Sequence, residues 1–141
     1  MLQSENIVTV GNSSVSLFAL MEQKLKKLAE LAIFTDNVAE VSAFYERVVG
    51  APPAYKAEDI AVFKLSDDIT LLIHKKYPAV EGQPPNTDHI AFATDDVKGA
   101  SAELVQQGLT LLLEPKHYDW GTSSYLRDPD GRIVELHSAE S

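Results

Sequence analysis

The spacing of apolar residues changes along this chain, and each change marks the boundary of a predicted element. Between Val38 and Val49, valines and aromatic residues fall three and four positions apart, which is the spacing of one helix face. Asn37 and Glu40 resemble a capping box at the start of this helix. Gly50, with two prolines after it, forbids its continuation. The pattern therefore predicts one helix over about residues 38–49.

A second helix is predicted to begin at Asp95 or Asp96, to carry Val97 and Leu104 on its apolar face, and to end at Gly108. Around the two helices, runs of β-branched and aromatic residues between turn residues predict strands. These predicted strands are Glu30–Thr35, Ala54–Ala57, Ile60–Leu65, Ile69–Lys75, His89–Thr94, Leu109–Glu114, Ser123–Arg127 and Arg132–His137. The order strand, helix, three strands is thus predicted twice.

The two halves overlay in sequence. A shift of 59 positions places Glu30 on His89, and a shift of 63 positions places Leu72 of the last strand on Glu135. A side chain that can bind a metal therefore stands at the same place in the first strand of both halves.

Residues 1–27 lie outside this repeated order and form an N-terminal extension. Ile7–Val10 predicts a short strand. From about Ser16 to Leu28, leucines three and four positions apart predict an amphipathic helix. Met21 is an alternative start of the chain, with the residues before it an appended leader, and the pattern leaves both interpretations open.

Composition narrows the class of partner. A chain of 141 residues with 45% hydrophobic residues suits one domain with a sizeable core. The net charge of −9 argues against nucleic acid and against anionic membranes. The chain contains no cysteine, no apolar run of membrane-spanning length, and no basic stretch of the kind that opens a signal peptide. We expect a cytoplasmic protein whose partner is neither nucleic acid nor a membrane.

Three segments, in this order and spacing, are similar to a known family. They are Asp36-Asn37-Val38 followed by Ala43-Phe44-Tyr45, then Asp88–Phe92, and then Leu126–Gly131 running into Ile133–Leu136. Through them, residues 28–138 resemble the vicinal oxygen chelate superfamily, which includes glyoxalase I, extradiol dioxygenases, fosfomycin-resistance enzymes and bleomycin-resistance proteins. The resemblance implies an α+β fold of two tandem βαβββ modules, about 28–78 and 87–138, forming a curled mixed β-sheet around a cleft.

The resemblance also implies a metal site. Family ligands come from the first and last strands of each module, which here carry Glu30, His89 and Glu135. A set of two carboxylates and one imidazole suits Mn, Fe, Co, Ni or Zn. Glu30 and Glu135 are also the candidate catalytic residues, because a carboxylate can transfer a proton. Leu72 stands where a fourth ligand is usual and has no donor atom. Alternatively, Glu30 is the solvated end of the preceding helix, and His89 is a hydrogen-bonded strand residue.

Further residues are candidates for binding a substrate. Trp120 and Tyr118 belong to a loop between strands, and Tyr125 and Arg127 share a face of the next strand. Arg127 suits a carboxylate or phosphonate. His74 lies two residues from Leu72 and can reach the same cleft. The alternative is that the aromatic residues pack the sheet edge, Arg127 pairs with nearby aspartates, and His74 is a surface residue at a strand end.

Three functions fit these features. The first is a metal-dependent lyase or isomerase of the glyoxalase kind. The second is a non-enzymatic protein that binds a drug or another small molecule, as the bleomycin-resistance proteins do. The third is a degenerate module used for dimerisation. A homodimer is expected in each case, and its mode is left open.

Overall fold

The computed structural model describes residues 7–10, 13–16 and 25–138. In chain order, its elements are β1 (Ile7–Val10), β2 (Ser13–Ser16), β3 (Lys27–Thr35), α1 (Val38–Val49), β4 (Tyr55–Ala57), β5 (Ile60–Lys64), β6 (Thr70–Lys75), β7 (His89–Ala93), α2 (Val97–Gln106), β8 (Leu111–Tyr118), β9 (Gly121–Arg127) and β10 (Ile133–Ser138). Strands β1 and β2 form an antiparallel hairpin. The other eight strands form one mixed sheet in the order β4-β5-β6-β3-β7-β10-β9-β8. The predicted α+β class is confirmed.

All eight strands predicted after residue 28 are present, and the largest displacement is that of β8, which is expected from the sequence at Leu109–Glu114.

Both helices are also present. Asp96 caps α2, and its Oδ1 accepts a hydrogen bond from Gly99 N at 2.9 Å. Asn37 occupies the N-cap position of α1 without a side-chain cap, so the predicted capping box is wrong. Neither of these two helices is both long and apolar enough to cross a membrane.

The N-terminal extension differs from its prediction. The strand at Ile7–Val10 is confirmed, but Ser16 ends a second strand, and Leu28 belongs to β3. The predicted helix is therefore wrong at both described ends, while residues 17–24 lie outside the described part of the chain. The reason is pairing: Leu28 lies opposite Phe92 of β7, and sheet contacts override a short helical spacing of leucines.

The centre of the sheet is the antiparallel pair β3–β7, in which Leu31 lies opposite Ile90. Strand β6 runs parallel to β3 with Glu30 opposite Thr70, and β10 runs parallel to β7 with His89 opposite Ile133. The shift of 59 places Glu30 on His89, and the shift of 63 places Thr70 on Ile133, so the two pairs are equivalent. Both halves therefore have the same register between their first and last strands.

Alternation along the strands gives the sheet two faces. One face packs against the helices as two core clusters. The cluster under α1 contains Val38, Ala61, Phe63, Leu71 and Ile73, and the cluster under α2 contains Val97, Leu126 and Leu136. Residues of the opposite parity, including Glu30, Leu72, His89 and Glu135, point to the other face, where they line a cleft.

Candidate metal centre and its cleft

The cleft has a volume of about 350 Å³ and receives residues from both halves of the sheet. Its polar and charged lining consists of Glu30, His74, His89, Glu135 and His137. Its aromatic and aliphatic lining consists of Phe34, Ile60, Leu72, Tyr77, Pro84, Pro85, Trp120 and Tyr125. A few convergent polar groups among apolar walls are typical of a small-molecule site.

Three side chains that can bind a metal meet in this cleft. Glu30 comes from β3, His89 from the start of β7, and Glu135 from the middle of β10. One ligand atom of each lies within 4.8 Å of the others. They meet because β3, β7 and β10 are adjacent strands and all three residues have the parity of the cleft face.

Glu135 is the most firmly held of the three. Its Oε1 lies 3.0 Å from His89 Nε2, and both side chains are 6% exposed. Its Oε2 accepts a hydrogen bond of 2.6 Å from Ser123 Oγ. Ser123 Oγ in turn accepts a hydrogen bond of 3.0 Å from Trp120 Nε1. A buried carboxylate fixed from two sides costs little further entropy when it binds a cation.

His89 is oriented by its other ring nitrogen. Nδ1 donates to the carbonyl oxygen of Thr87 at 2.9 Å, which turns Nε2 toward Glu135. Burial lowers the pKa of His89, but the hydrogen bonds to Glu135 and Thr87, with the charges of Glu135 and Glu30, outweigh it and raise the pKa. A backbone carbonyl that fixes the ring in this way is the usual support of a histidine that binds metal through Nε2.

Glu30 has a different environment. The pKa of Glu30 is raised to about 7, mainly by burial and also by the charge of Glu135, while His89 opposes both. The carboxyl group therefore exchanges its proton near neutral pH. A second positive charge in the cleft would favour its ionised form.

The residues present fit a divalent cation. Bonds of about 2.0–2.2 Å place ligand atoms at most about 4.4 Å apart, so ligand atoms at the observed limit of 4.8 Å would draw closer together when a cation binds. The two carboxylates balance a charge of +2. Leu72 also lines the cleft, but its side chain has no atom that can bind a metal. The part of the site next to Leu72 is therefore left to substrate or water.

The predicted substrate residues are distributed unevenly. Trp120, Tyr125 and His74 line the cleft. Tyr118 stacks on Trp120, with ring centroids 4.6 Å apart and planes 7° from parallel. Arg127 does not line the cleft, because its Nη1 donates to the carbonyl oxygen of Gly131 at 2.9 Å and holds the β9–β10 turn. The expected anion contact by Arg127 therefore has no place in this cleft.

Sequence reasoning missed Ser123 and one wall of the cleft. Tyr77, expected near the end of the first half, lines the cleft, and its hydroxyl donates to the carbonyl oxygens of Pro84 and Pro85. Those prolines lie between the two modules expected at about 28–78 and 87–138. Ser123 lies one residue from the equally buried Ser124 on β9, and only the pairing of β9 with β10 shows which of them faces Glu135.

Residues 27–136 match the Glyoxalase/Bleomycin resistance protein/Dioxygenase superfamily. The uncharacterized protein YetH of Bacillus subtilis is 23% identical over 118 residues, which are 79% of this chain and 98% of that protein.

Solved structures share the fold. A variant of the methylmalonyl-CoA epimerase of Streptomyces coelicolor, in complex with 2-nitronate-propionyl-CoA, has a TM-score of 0.63 at 22% identity, covering 83% of this chain and 99% of that one. A structure described as the NAD-dependent benzaldehyde dehydrogenase of Legionella pneumophila has a TM-score of 0.65 at 16% identity, covering 79% of this chain and 98% of that one. At these identities the likeness shows the fold alone.

Proposed function

Because this chain belongs to the glyoxalase, bleomycin resistance and dioxygenase superfamily, we propose that it is a metal-dependent enzyme of the lyase or isomerase class. Its substrate is a small molecule with two adjacent oxygens, bound in the cleft. The observation that carries the proposal is the convergence of Glu30, His89 and Glu135 from three strands. Of the candidate metals, Mn, Fe, Co, Ni and Zn all accept two carboxylates and one imidazole.

Each residue has a part in this proposal. When bound, a divalent cation supplies Lewis-acid polarisation of the substrate oxygens. His89 and Glu135 would hold it from positions fixed by Thr87 and Ser123. Glu30, whose ionised form the cation favours, would accept a proton from a substrate carbon and return it. The aromatic wall formed by Trp120 excludes water and orients the substrate.

We also propose that the two halves are copies of one βαβββ module curled around the cleft. Support comes from the register, since the ladder β3–β6 maps onto β7–β10 by the same shifts as the sequence. The ladder β5–β6, with Ile60 opposite His74, also maps onto β9–β10, with Ser123 opposite His137. The homodimer and the cytoplasmic location stay predictions.

Proton transfer is the reaction to test first, since one fold neighbour is named an epimerase. Purified protein is freed of metal with chelator, reloaded with Mn, Ni or Zn, and mixed with 2-hydroxyacetophenone in D₂O. Exchange of the carbon-bound proton, followed by NMR, should require both metal and Glu30, and Glu30→Gln should lose it. No exchange above that of free metal, with any of the three metals, contradicts the proposed reaction.

A second function is favoured by one observation. Leu72 removes the fourth ligand, and two carboxylates remain among aromatic walls, a setting that can bind a cationic aromatic drug without metal. Trp120 is the single tryptophan of the chain, so its fluorescence reports such binding. If proflavine quenches Trp120 in the presence of chelator and added Mn, Ni or Zn does not compete, this second function replaces the first.

A further inference from the structure

The walls of the cleft are aromatic on two sides. Phe34 packs against His74 and Tyr77, with ring centroids 5.6 and 5.8 Å away. Trp120, stacked on Tyr118, lines the cleft from the second half of the sheet. A single aromatic ring fits a cavity of about 150 Å³, so a cleft of about 350 Å³ has room for one ring with substituents.

The permanently charged groups of the cleft are of one sign. Among its lining residues in the described part of the chain there is no lysine and no arginine, while Glu30 and Glu135 carry carboxylates. A divalent cation held by the two carboxylates would balance their charge, and no lysine or arginine stands ready for an anionic group of the substrate. The net charge of −9 also disfavours the approach of an anion.

The basic residues near the cleft are engaged elsewhere. Lys116 places its Nζ 5.6 Å from the ring centroid of Tyr118 and does not line the cleft. Arg127 is bound to the carbonyl oxygen of Gly131. A carboxylate or phosphate carried deep into this cleft would therefore lose its water without gaining a lysine or arginine partner, which costs binding energy.

The two carboxylates of the cleft, on Glu30 and Glu135, offer hydrogen-bond acceptors. His74 Nδ1 already donates to the carbonyl oxygen of Lys75 at 2.7 Å and is not free to serve a ligand. The complementary ligand brings hydrogen-bond donors, and an uncharged hydroxyl group provides them.

We infer that the substrate is an uncharged, ring-bearing molecule that presents hydroxyl groups, and that the cleft rejects the anionic analogue of the same shape. The inference rests on the proposed metal centre, which supplies the neutrality of the site. Enzymes whose substrates place a carboxylate, phosphate or nucleotide group in the cleft would therefore have a different substrate class from this chain.

A pair of probes that differ only in charge tests the inference. These are 4-(hydroxyacetyl)benzamide, which is neutral, and 4-(hydroxyacetyl)benzoate, which is anionic and has nearly the same shape. Binding to the full chain loaded with Mn or Zn is measured by calorimetry, after metal uptake has been measured separately. The amide should bind at least about 10-fold more tightly, since the carboxylate has no partner in the cleft.

A pair of variants at the cleft wall gives the converse test. Ile60 lines the cleft on β5 and takes no part in the metal centre. Ile60→Lys should improve binding of the benzoate by about 5-fold or more, because it adds the missing cation. The matched variant Ile60→Gln has similar length and no charge, and it should leave the preference for the amide unchanged.

The outcomes are distinguishable. If metal binds and the benzoate binds as tightly as the amide, the inference is wrong and the metal centre stands. The same conclusion follows if metal binds and neither probe does, or if Ile60→Lys acts no differently from Ile60→Gln. If no metal binds, the proposed function fails, and the inference fails with it.

Discussion

At the scale of residues, the site depends on a serine that carries no catalytic group. Ser123 Oγ donates to Glu135 Oε2 at 2.6 Å and accepts from Trp120 Nε1 at 3.0 Å. It therefore joins a proposed metal ligand to the aromatic wall. Mutation of such supporting residues typically lowers metal affinity or activity by about 10–100-fold.

We predict that Ser123→Ala weakens Mn or Zn binding by about 10–100-fold, because Glu135 loses the donor that fixes its outer oxygen. Ser124→Ala is the matched control. Ser124 is also buried on β9, but it bonds to Ser101 on the helix side of the sheet, so its loss should affect stability and leave metal affinity unchanged. Competition titration with a metal-binding dye measures both variants. Equal affinities of Ser123→Ala and wild type would contradict the positioning role.

Because the pKa of Glu30 is raised, the free energy of unfolding should depend on pH when chelator keeps the site free of metal. Its carboxyl releases a proton near pH 4.5 in the unfolded chain and near pH 7 in the folded one. The folded chain binds more protons in between, so this contribution to stability is present below pH 4.5 and is lost as pH rises to about 7. The loss is about 3 kcal/mol at 1.36 kcal/mol per pH unit.

Glu30→Gln should remove this loss and be more stable than wild type at pH 8. Urea unfolding at several pH values measures it. Glu40→Gln is the control, because Glu40 is exposed on the first turn of α1, outside the cleft, and it should keep the wild-type slope. A Glu30→Gln protein with the same slope as wild type would show that Glu30 is ionised throughout.

At the scale of elements, the two helices differ at one buried position. Ser42 of α1 and Ser101 of α2 are equivalent by the shift of 59, and each is 1% exposed. Ser101 bonds to Ser124 of β9 at 2.8 Å. The equivalent of Ser124 in β5 is Ala61, which has no hydroxyl, and Ser42 Oγ has no hydrogen-bond partner among the described residues. The second half satisfies a polar pair that the first half leaves incomplete.

Opposite effects of the same substitution are therefore expected. Ser42→Ala should raise the free energy of unfolding by about 0.5–1 kcal/mol, because it removes an unpaired buried hydroxyl and improves helix propensity. Ser101→Ala should lower it by about 1–3 kcal/mol, because it leaves Ser124 unpaired. Urea unfolding of both variants measures the two values. A loss of stability in Ser42→Ala would contradict this account of the helix position.

The elements themselves were largely predictable. Each strand of the sheet can be recognised by its apolar residues and by the turn residues at its ends. The equivalence of Glu30 and His89 follows from the overlay of the two halves of the sequence alone. The helix from Ser16 to Leu28 was mistaken, because the leucine spacing of a short segment does not reveal that Leu28 pairs with Phe92. Ser123 and the wall of Tyr77 were missed because strand register and loop path decide which side chains enter the cleft.

At the scale of the whole molecule, the proposed metal joins the two halves. Glu30 belongs to the first half, whereas His89 and Glu135 belong to the second. A cation bound at a free concentration about 100 times its dissociation constant would stabilise the folded chain by about 2.7 kcal/mol. Its removal should therefore lower the melting temperature, and His89→Ala should abolish the difference between chelator-treated and metal-loaded protein.

Elemental analysis of protein purified without chelator, with His89→Ala prepared in parallel, shows whether the cleft holds a metal. We expect about one equivalent of a transition metal per wild-type chain and less than about a tenth in the variant, because His89 supplies the single imidazole of the ligand set. A wild-type protein that holds less than about a tenth of an equivalent, and is not stabilised by added Mn, Ni or Zn, would contradict this expectation.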